Sequence, residues 1–357
     1  MNITFIVPEL NLTGGLRVVS IYAEYLAQYG HKVTVVSPGK KPPNLKQKIK
    51  SVLNWKGYKF RSGFDSIFFE NSHYDVKVLN KHRPVRSADV PDADIVIATF
   101  WNTAEWIAEF PEIKGKKVYF IQHHEIHIGP IERVEATYRL PFYKVTIANW
   151  LVSLMEKEYA SANAYLVPNS VDHETFYADA RTKQAVPTIG FLFSETAFKG
   201  VDVALNVIQN LKKQIPELRV LAFGHSTPDV MNLPDYIEFS LNPEQYEIRM
   251  LYQQCDLWLC CSTFEGFGLT ILEAMACRTP AISTKCGGPE DIITENVNGY
   301  LCDVNDVNAL TDAAYKMLSF KDNEWQNFSD QAYKFAKQYT WDEAAKSFEN
   351  ALLQTSS

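Results

Sequence analysis

The stretch Leu257-Trp-Leu-Cys-Cys-Ser262, followed by Phe264-Glu-Gly-Phe-Gly-Leu-Thr-Ile-Leu-Glu-Ala-Met-Ala276, decides the fold. Its first part is a short, continuously apolar run, the pattern of a strand covered on both faces. A glycine-rich turn then opens an apolar helix. Strand, glycine turn and helix in that order build the ligand-binding edge of a doubly wound α/β domain. The backbone N–H groups of Gly266, Phe267, Gly268 and Leu269 would stand at the positive end of the helix dipole, a ready anion site. Gly266 and Gly268 carry no Cβ, so a ligand can approach their backbone closely. Glu273 interrupts the apolar helix, and a carboxylate rarely enters a core without a partner, because desolvation is costly. A diol such as a ribose would offer it two hydroxyl donors, and Thr270 lies on the same face. Glu265, eight residues earlier at the mouth of the loop, could accept hydrogen bonds from sugar hydroxyls. The plainer alternative is that Glu265 simply favours the helix start and that Glu273 pairs with a neighbouring Lys.

Outward from this stretch, similar apolar, β-branched runs recur along the chain. They are Ile3–Pro8, Lys32–Pro38, Asp94–Phe100, Lys117–Gln122, Lys144–Trp150 and Ala164–Asn169, then Thr188–Phe193, Leu218–Gly224, Ile237–Leu241, Leu257–Ser262, Pro280–Lys285 and Gly299–Cys302. Helical spacing lies between them. Leu16, Val19, Ala23 and Leu26 mark one helix, with Gly30 able to supply its left-handed terminus. Val203, Leu205, Val207, Ile208 and Leu211 mark another. Strand–helix alternation met twice predicts two Rossmann-like α/β domains, residues 1–168 and 169–340, with the boundary near Pro168–Glu174. Thr340-Trp-Asp-Glu343 reads as a capping box. It opens a helix over 341–357 that is expected to pack back on the first domain.

Composition narrows the function classes. The chain has 357 residues and a net charge of −7. Between Lys40 and Arg61 stand eight positive residues and no acid, which leaves −15 for everything else. So acidic a body argues against nucleic-acid binding. The basic segment, interleaved with Trp55, Tyr58 and Phe60, fits an anionic membrane surface or an acidic ligand, or a solvated loop. No apolar run is long enough to span a bilayer. The start, MNITFIVPEL, has no basic region before an apolar one, so the expected compartment is the cytosol, with peripheral contact to the inner membrane face. The six Cys form no CxxC pair and read as reduced core residues.

Other segments could carry chemistry. Asn11-Leu-Thr-Gly14-Gly15 joins the first strand to the first helix and would place amides near a phosphate or a sugar, with Arg17 adding charge. Lys199, beyond the end of the Thr188–Phe193 strand, can neutralise a diphosphate or merely face solvent. His123 and His127 in Gln122-His-His-Glu-Ile-His127 are four apart, but they follow a strand and miss HExxH by one residue, so a zinc site is not expected. A His at such a strand end could hydrogen-bond a sugar. Asp92-Ala-Asp94 has the form of a DxD metal motif, yet it precedes a strand and reads as a strand-start loop.

Taken together, the segments resemble the group 1 glycosyltransferases, family 4, with the two-domain GT-B fold. Gly14-Gly15 resembles the family's N-terminal GG loop. Val167-Pro-Asn-Ser-Val-Asp-His-Glu-Thr-Phe176 resembles its PNGVD segment, with Ser170 in place of Gly. Lys199-Gly200-Val-Asp202 resembles KGxD, Glu265 to Glu273 reproduces E-x7-E, and Gly287-Gly288-Pro-Glu290 resembles the GG loop that follows.

The resemblance implies a GT-B architecture, two doubly wound Rossmann-like domains facing across a cleft. It implies transfer of a hexose from a nucleotide diphosphate sugar, a UDP-sugar, with retention and without a metal or other cofactor. The acceptor would be a saccharide or lipid-linked saccharide in polysaccharide biosynthesis. On that reading Lys199 holds the phosphates with help from Gly15. Glu273 binds the ribose, and Glu265 with the amides of Gly266 to Leu269 positions the sugar. His123, or its neighbour His124, contacts the sugar. The family pairs its KG lysine with an upstream Arg, and no Arg lies between Phe191 and Lys199 here. Neutralisation would then rest on Lys199, on amides or on Arg17. Competing readings are a nucleotide-sugar 2-epimerase on the same fold, a non-catalytic sugar-binding relative, and a DxD enzyme of the other glycosyltransferase fold.

Overall fold

Strands β1 (Asn2–Ile6), β2 (Lys32–Ser37), β3 (Asp75–Val78), β4 (Ile95–Ala98), β5 (Lys116–Ile121), β6 (Tyr143–Thr146) and β7 (Ala164–Leu166) form a first parallel sheet in the order β3-β2-β1-β4-β5-β6-β7. A second is built from β8 (Thr188–Leu192), β9 (Arg219–Gly224), β10 (Ile237–Leu241), β11 (Leu257–Cys260), β12 (Ala281–Thr284) and β13 (Gly299–Cys302), ordered β10-β9-β8-β11-β12-β13. The computed structural model describes residues 1–10, 13–42, 67–70, 72–161, 164–226 and 233–356. Most of the Lys40–Arg61 segment, with its expected membrane contact, and Asn11 and Leu12 lie outside them.

Each sheet grows outward from its first strand in both directions. Ile3 pairs with Val33 on one side and Ile95 on the other, and Ile189 pairs with Val220 and Leu257. The order therefore reverses beside β1 in one sheet and beside β8 in the other. Ligands of doubly wound sheets gather at the carboxyl ends of strands at such a switch point.

Every expected run holds a strand, because strands buried on both faces must be apolar throughout. The exception is β3, Asp75-Val-Lys-Val78, an edge strand largely exposed to water. Its alternating charge carries no apolar run to find. The run Lys144–Trp150 overshoots: the strand ends at Thr146 and a helix begins at Asn149. The Asp291 carboxylate accepts the Asn149 N–H at 2.7 Å there, which favours a helix start.

Helix α1 (Gly14–Gln28) buries Leu16, Val19, Ala23 and Leu26, and Gly30 follows it at φ +87°. Gly14 and Gly15 differ from expectation. They are the first turn of the helix, with Thr13 at its N-cap, and not a connecting loop. The other α-helices among the described residues are α2 (Trp101–Ala108), α3 (Ile131–Tyr138), α4 (Asn149–Tyr159), α5 (Val201–Gln214), α6 (Gln245–Gln253), α7 (Leu269–Ala276), α8 (Pro289–Ile292), α9 (Val307–Leu318), α10 (Asp322–Ala336) and α11 (Trp341–Ser356).

The chain divides into two compact units. The first comprises Met1–Ile147, Leu151–Val167 and Ala345–Ser357; the second comprises Ala148–Trp150 and Pro168–Ala344. In the first, Phe348 of α11 stacks on Tyr22 at 4.5 Å and meets Phe120 edge-on at 5.1 Å. In the second, Trp258 packs between Phe223 and Tyr252. Thr340 Oγ1 accepts the Glu343 N–H at 3.3 Å and caps α11. All six cysteines are unbridged thiols. Burial pushes Cys302 up to about 11 and Cys260 above its ordinary value, so both stay protonated at neutral pH. Among the described residues, no helix is long and apolar enough to cross a membrane.

Candidate active site

At the switch point of the second sheet, the chain leaves β8 through a single 3-10 turn, Ala197–Lys199. Gly200 follows at φ +62°, where a Cβ would stand 1.9 Å from the Cys261 carbonyl oxygen. Only glycine fits, and the close approach fixes Lys199 beside the end of β11. The Lys199 Nζ lies 2.7 Å from Glu265 Oε2, and Ser262 Oγ donates to the same oxygen at 3.2 Å. Burial works against the ammonium, but the Glu265 carboxylate outweighs it, and the Lys199 pKa stands above its ordinary value. Lys199, Ser262, Glu265 and Thr270 line one pocket.

The loop carrying Glu265 is held from behind by backbone. Its N–H donates to the Cys286 carbonyl at 2.8 Å, and its carbonyl accepts the Gly288 N–H at 2.9 Å. Gly288 lies so close that a Cβ would come 2.3 Å from the Phe267 Cα. Trp150 Nε1 donates to the Gly266 carbonyl at 3.0 Å, and Phe267 is buried. Gly268, at φ +101°, is the N-cap of α7, and its carbonyl accepts the N–H groups of Ile271 and Leu272. The Gly266–Leu269 turn is thus braced before any ligand arrives, which lowers the entropic cost of binding.

One turn into α7, Glu273 is 6% exposed. Tyr252 of α6, fully buried, donates its hydroxyl to Glu273 Oε2 at 3.1 Å. A neutral tyrosine hydroxyl is thus one partner of this carboxylate. Ser194 Oγ accepts the Thr196 N–H at 3.2 Å, a local turn after β8.

Gly15 and His123 lie in the first unit, and Lys199, Glu265, Gly266 to Leu269, Thr270 and Glu273 in the second. Gln122 ties the first pair together, donating from Nε2 to the Gly15 carbonyl at 3.1 Å. His123 Nδ1 stands 3.0 Å from the His124 carbonyl oxygen. His124 Nε2 stands 2.9 Å from the Tyr159 hydroxyl, and burial, with His127 and His123 nearby, brings its pKa down to about 4. Glu125 is 2% exposed, and burial raises its pKa to about 8. Asp92 pairs with Lys114, and Asp94 accepts the Asn2 N–H, so both belong to the loop that opens β4. Among the described residues, no three His, Cys, Asp or Glu side chains stand together as a metal site.

Sequence reasoning missed Ser262, Tyr252, Trp150 and Glu125. The first three look like ordinary core or strand-end residues. Glu125 sits in plain view beside two histidines, but nothing local shows that its side chain turns inward.

Comparison with known proteins adds a family. Residues 179–335 match the glycosyl transferases group 1 family. These residues are a group 1 glycosyltransferase domain. The chain is similar to a probable sucrose-phosphate synthase of Thermosipho melanesiensis, 34% identical over 120 residues, which cover 32% of this chain and 27% of that protein. The match therefore spans about a quarter of that relative's length. Among solved structures, a sucrose-phosphate synthase from Thermosynechococcus elongatus superposes with a TM-score of 0.74 at 16% identity, covering 99% of this chain and 98% of the other. Anabaena HepE, crystallised with UDP and glucose, gives 0.71 at 15% identity, covering 99% and 100%. The fold of the group 1 domain and of the unit before it is GT-B.

Proposed function

We infer that this group 1 glycosyltransferase is a retaining hexosyltransferase. It moves a sugar from a nucleotide diphosphate donor to a saccharide or lipid-linked saccharide acceptor, without a metal. The observation that carries the reading is the Lys199–Glu265–Ser262 cluster at the switch point of the second sheet, beside a helix opened by Gly268. An ammonium and a helix start are what a diphosphate requires when no cation bridges its oxygens.

In this reading Lys199 exchanges its contact with Glu265 for the diphosphate. Glu265, released, accepts hydrogen bonds from sugar hydroxyls together with the amides of Gly266 to Leu269. Glu273 accepts from the ribose diol. UDP is the preferred nucleotide because HepE, of the same fold, was crystallised with it. The departing phosphate takes the acceptor proton, so the protein contributes position and charge stabilisation. His123 is the first unit's candidate for contact with a sugar hydroxyl, and Gly15 for contact with the phosphates. A lipid-linked saccharide is favoured as the acceptor by the basic Lys40–Arg61 segment, which equally supports a peripheral contact with the inner face of the membrane.

Isothermal titration with UDP in EDTA tests the donor site. Lys199→Ala and Glu273→Ala should each weaken UDP binding, and unchanged affinity in both defeats the assignment. Turnover with a UDP-hexose in EDTA, with the anomeric configuration of the product read by NMR, tests metal independence and retention.

A further inference from the structure

In the first unit, Glu125 is a carboxyl buried without a cationic partner among its hydrogen bonds. Its Oε2 accepts the Trp101 N–H at 2.7 Å and the Tyr119 hydroxyl at 3.0 Å. Trp101 is the first residue of α2, whose own N-cap position is Phe100, with no oxygen to offer. Glu125 therefore caps a helix from 24 residues away and ties it to β5. Burying an acid is a costly way to cap a helix, since a serine at position 100 would serve. What the carboxyl adds is a fixed location for its own backbone.

That backbone is shared with the histidines. The Glu125 N–H donates to the Tyr138 hydroxyl at 2.9 Å, and that hydroxyl donates to the His123 carbonyl at 3.3 Å. One oxygen on α3 thus clamps the peptide groups on both sides of His124. The Glu125 N–H belongs to the same peptide plane as the His124 carbonyl, and that carbonyl is the partner of His123 Nδ1 at 3.0 Å. A carbonyl only accepts, so His123 Nδ1 must carry the proton, and a neutral ring then has its lone pair on Nε2.

We propose that Glu125 is a positioning residue for His123: anchored in the core, it orients the His124–Glu125 peptide plane and so holds the imidazole in its Nδ1-protonated tautomer, with Nε2 as acceptor for a saccharide hydroxyl. The saccharide rests on the function inferred above; the tautomer does not. Without the anchored plane, the ring reverts toward the Nε2-protonated form, which donates to a hydroxyl instead of accepting from it.

Nitrogen-15 NMR of histidine-labelled protein tests this, with the His123 signals assigned by their loss in His123→Asn and spectra taken where the ring is neutral. The wild type should show Nδ1 protonated and Nε2 bare. Glu125→Gln, whose amide oxygen can accept both bonds, should keep that pattern. Glu125→Ala should convert a large share of His123 to the other tautomer. Tyr138→Phe, which removes the clamp and leaves the carboxyl, should do the same and serves if Glu125→Ala does not fold. A wild type already Nε2-protonated, or a pure Nδ1–H tautomer in folded Glu125→Ala or Tyr138→Phe, overturns the proposal. With a UDP-hexose, Glu125→Ala and Tyr138→Phe should lower kcat by about tenfold to a hundredfold while UDP affinity stays put. Absence of any transfer by the wild type would instead sink the glycosyltransferase reading and leave the tautomer result standing.

Discussion

The two sheets share one strand order around their first strand, yet their carboxyl edges carry opposite electrostatics. In the second unit Glu265 faces an ammonium 2.7 Å away. In the first, Glu125 faces only a backbone N–H and a tyrosine hydroxyl, and burial lifts its pKa to about 8. One carboxylate is paired with a counter-ion in the lining of a pocket. The other is a carboxyl whose protonated form burial favours, and it accepts from two donors that belong to a helix start and a strand. The fold supplies the location of a site in both cases, and the loops decide its chemistry.

The largest way to break this comparison is to delete the buried carboxyl. Glu125→Ala leaves the Trp101 N–H and the Tyr119 hydroxyl without their acceptor inside the protein, a loss of about 2–5 kcal/mol for two buried donors. Urea denaturation should show it, and Glu125→Gln should recover most of it. The pH dependence of the same measurement has a definite sign. An acid whose folded pKa is about 8, against an ordinary 4.5, binds more protons folded than unfolded between those values. Its stabilising contribution is complete below 4.5 and declines as pH climbs through about 8, in total by a few kcal/mol. His124, lowered from 6.5 to about 4, works the other way: its contribution is present above 6.5 and fades as pH falls through about 4. Of these two groups only Glu125 still titrates between pH 6.5 and 8, so wild type should lose more stability across that window than Glu125→Gln does. Parallel curves for the two proteins would mean that the buried carboxyl does not titrate.

Legibility in the sequence followed the same divide. Leu257–Ser262 and the glycine turn after it announce the second unit's edge, because a doubly covered strand must be apolar and a backbone approach must be glycine. Glu273 stands out as a charge in an apolar helix, while Lys199 and Glu265 are marked only by their places after a strand end and at the mouth of the glycine loop. Tyr252 does not stand out, since a tyrosine in a helix looks like any core aromatic, and its bond to Glu273 joins residues 21 apart in sequence. Glu125 escaped for a related reason: its partners Trp101 and Tyr138 come from different helices. Gly14 and Gly15 misled, because a glycine pair reads as a loop although both belong to a helix whose N-cap position is Thr13.

The donor site offers the next effect in size. Lys199→Ala removes a charged hydrogen-bond donor to the diphosphate, worth about 1.5–3 kcal/mol, or about tenfold to a hundredfold in UDP affinity. Lys199→Arg should retain part of it, and the wild-type affinity should fall as salt is raised. An affinity indifferent to both changes would place the nucleotide elsewhere.

The smallest effect is the most specific. Tyr252 touches Glu273 from the core side, through a hydroxyl that no ligand in the pocket needs to reach. Tyr252→Phe removes one neutral donor to a buried carboxylate, a loss of about 1 kcal/mol, or about fivefold in affinity if Glu273 accepts the ribose hydroxyls. A general loosening of the core would weaken every nucleotide alike. Loss of orientation at Glu273 alone would not, because 2′-deoxy-UDP offers that carboxylate one hydroxyl fewer. Calorimetry with both ligands separates the two. The preference of the wild type for UDP over 2′-deoxy-UDP should shrink in Tyr252→Phe and vanish in Glu273→Ala, while the 2′-deoxy ligand, which keeps one hydroxyl for Glu273, loses less affinity than UDP in both variants. A preference that survives intact in both variants would remove Glu273 from the ribose and leave it a structural group held by its tyrosine.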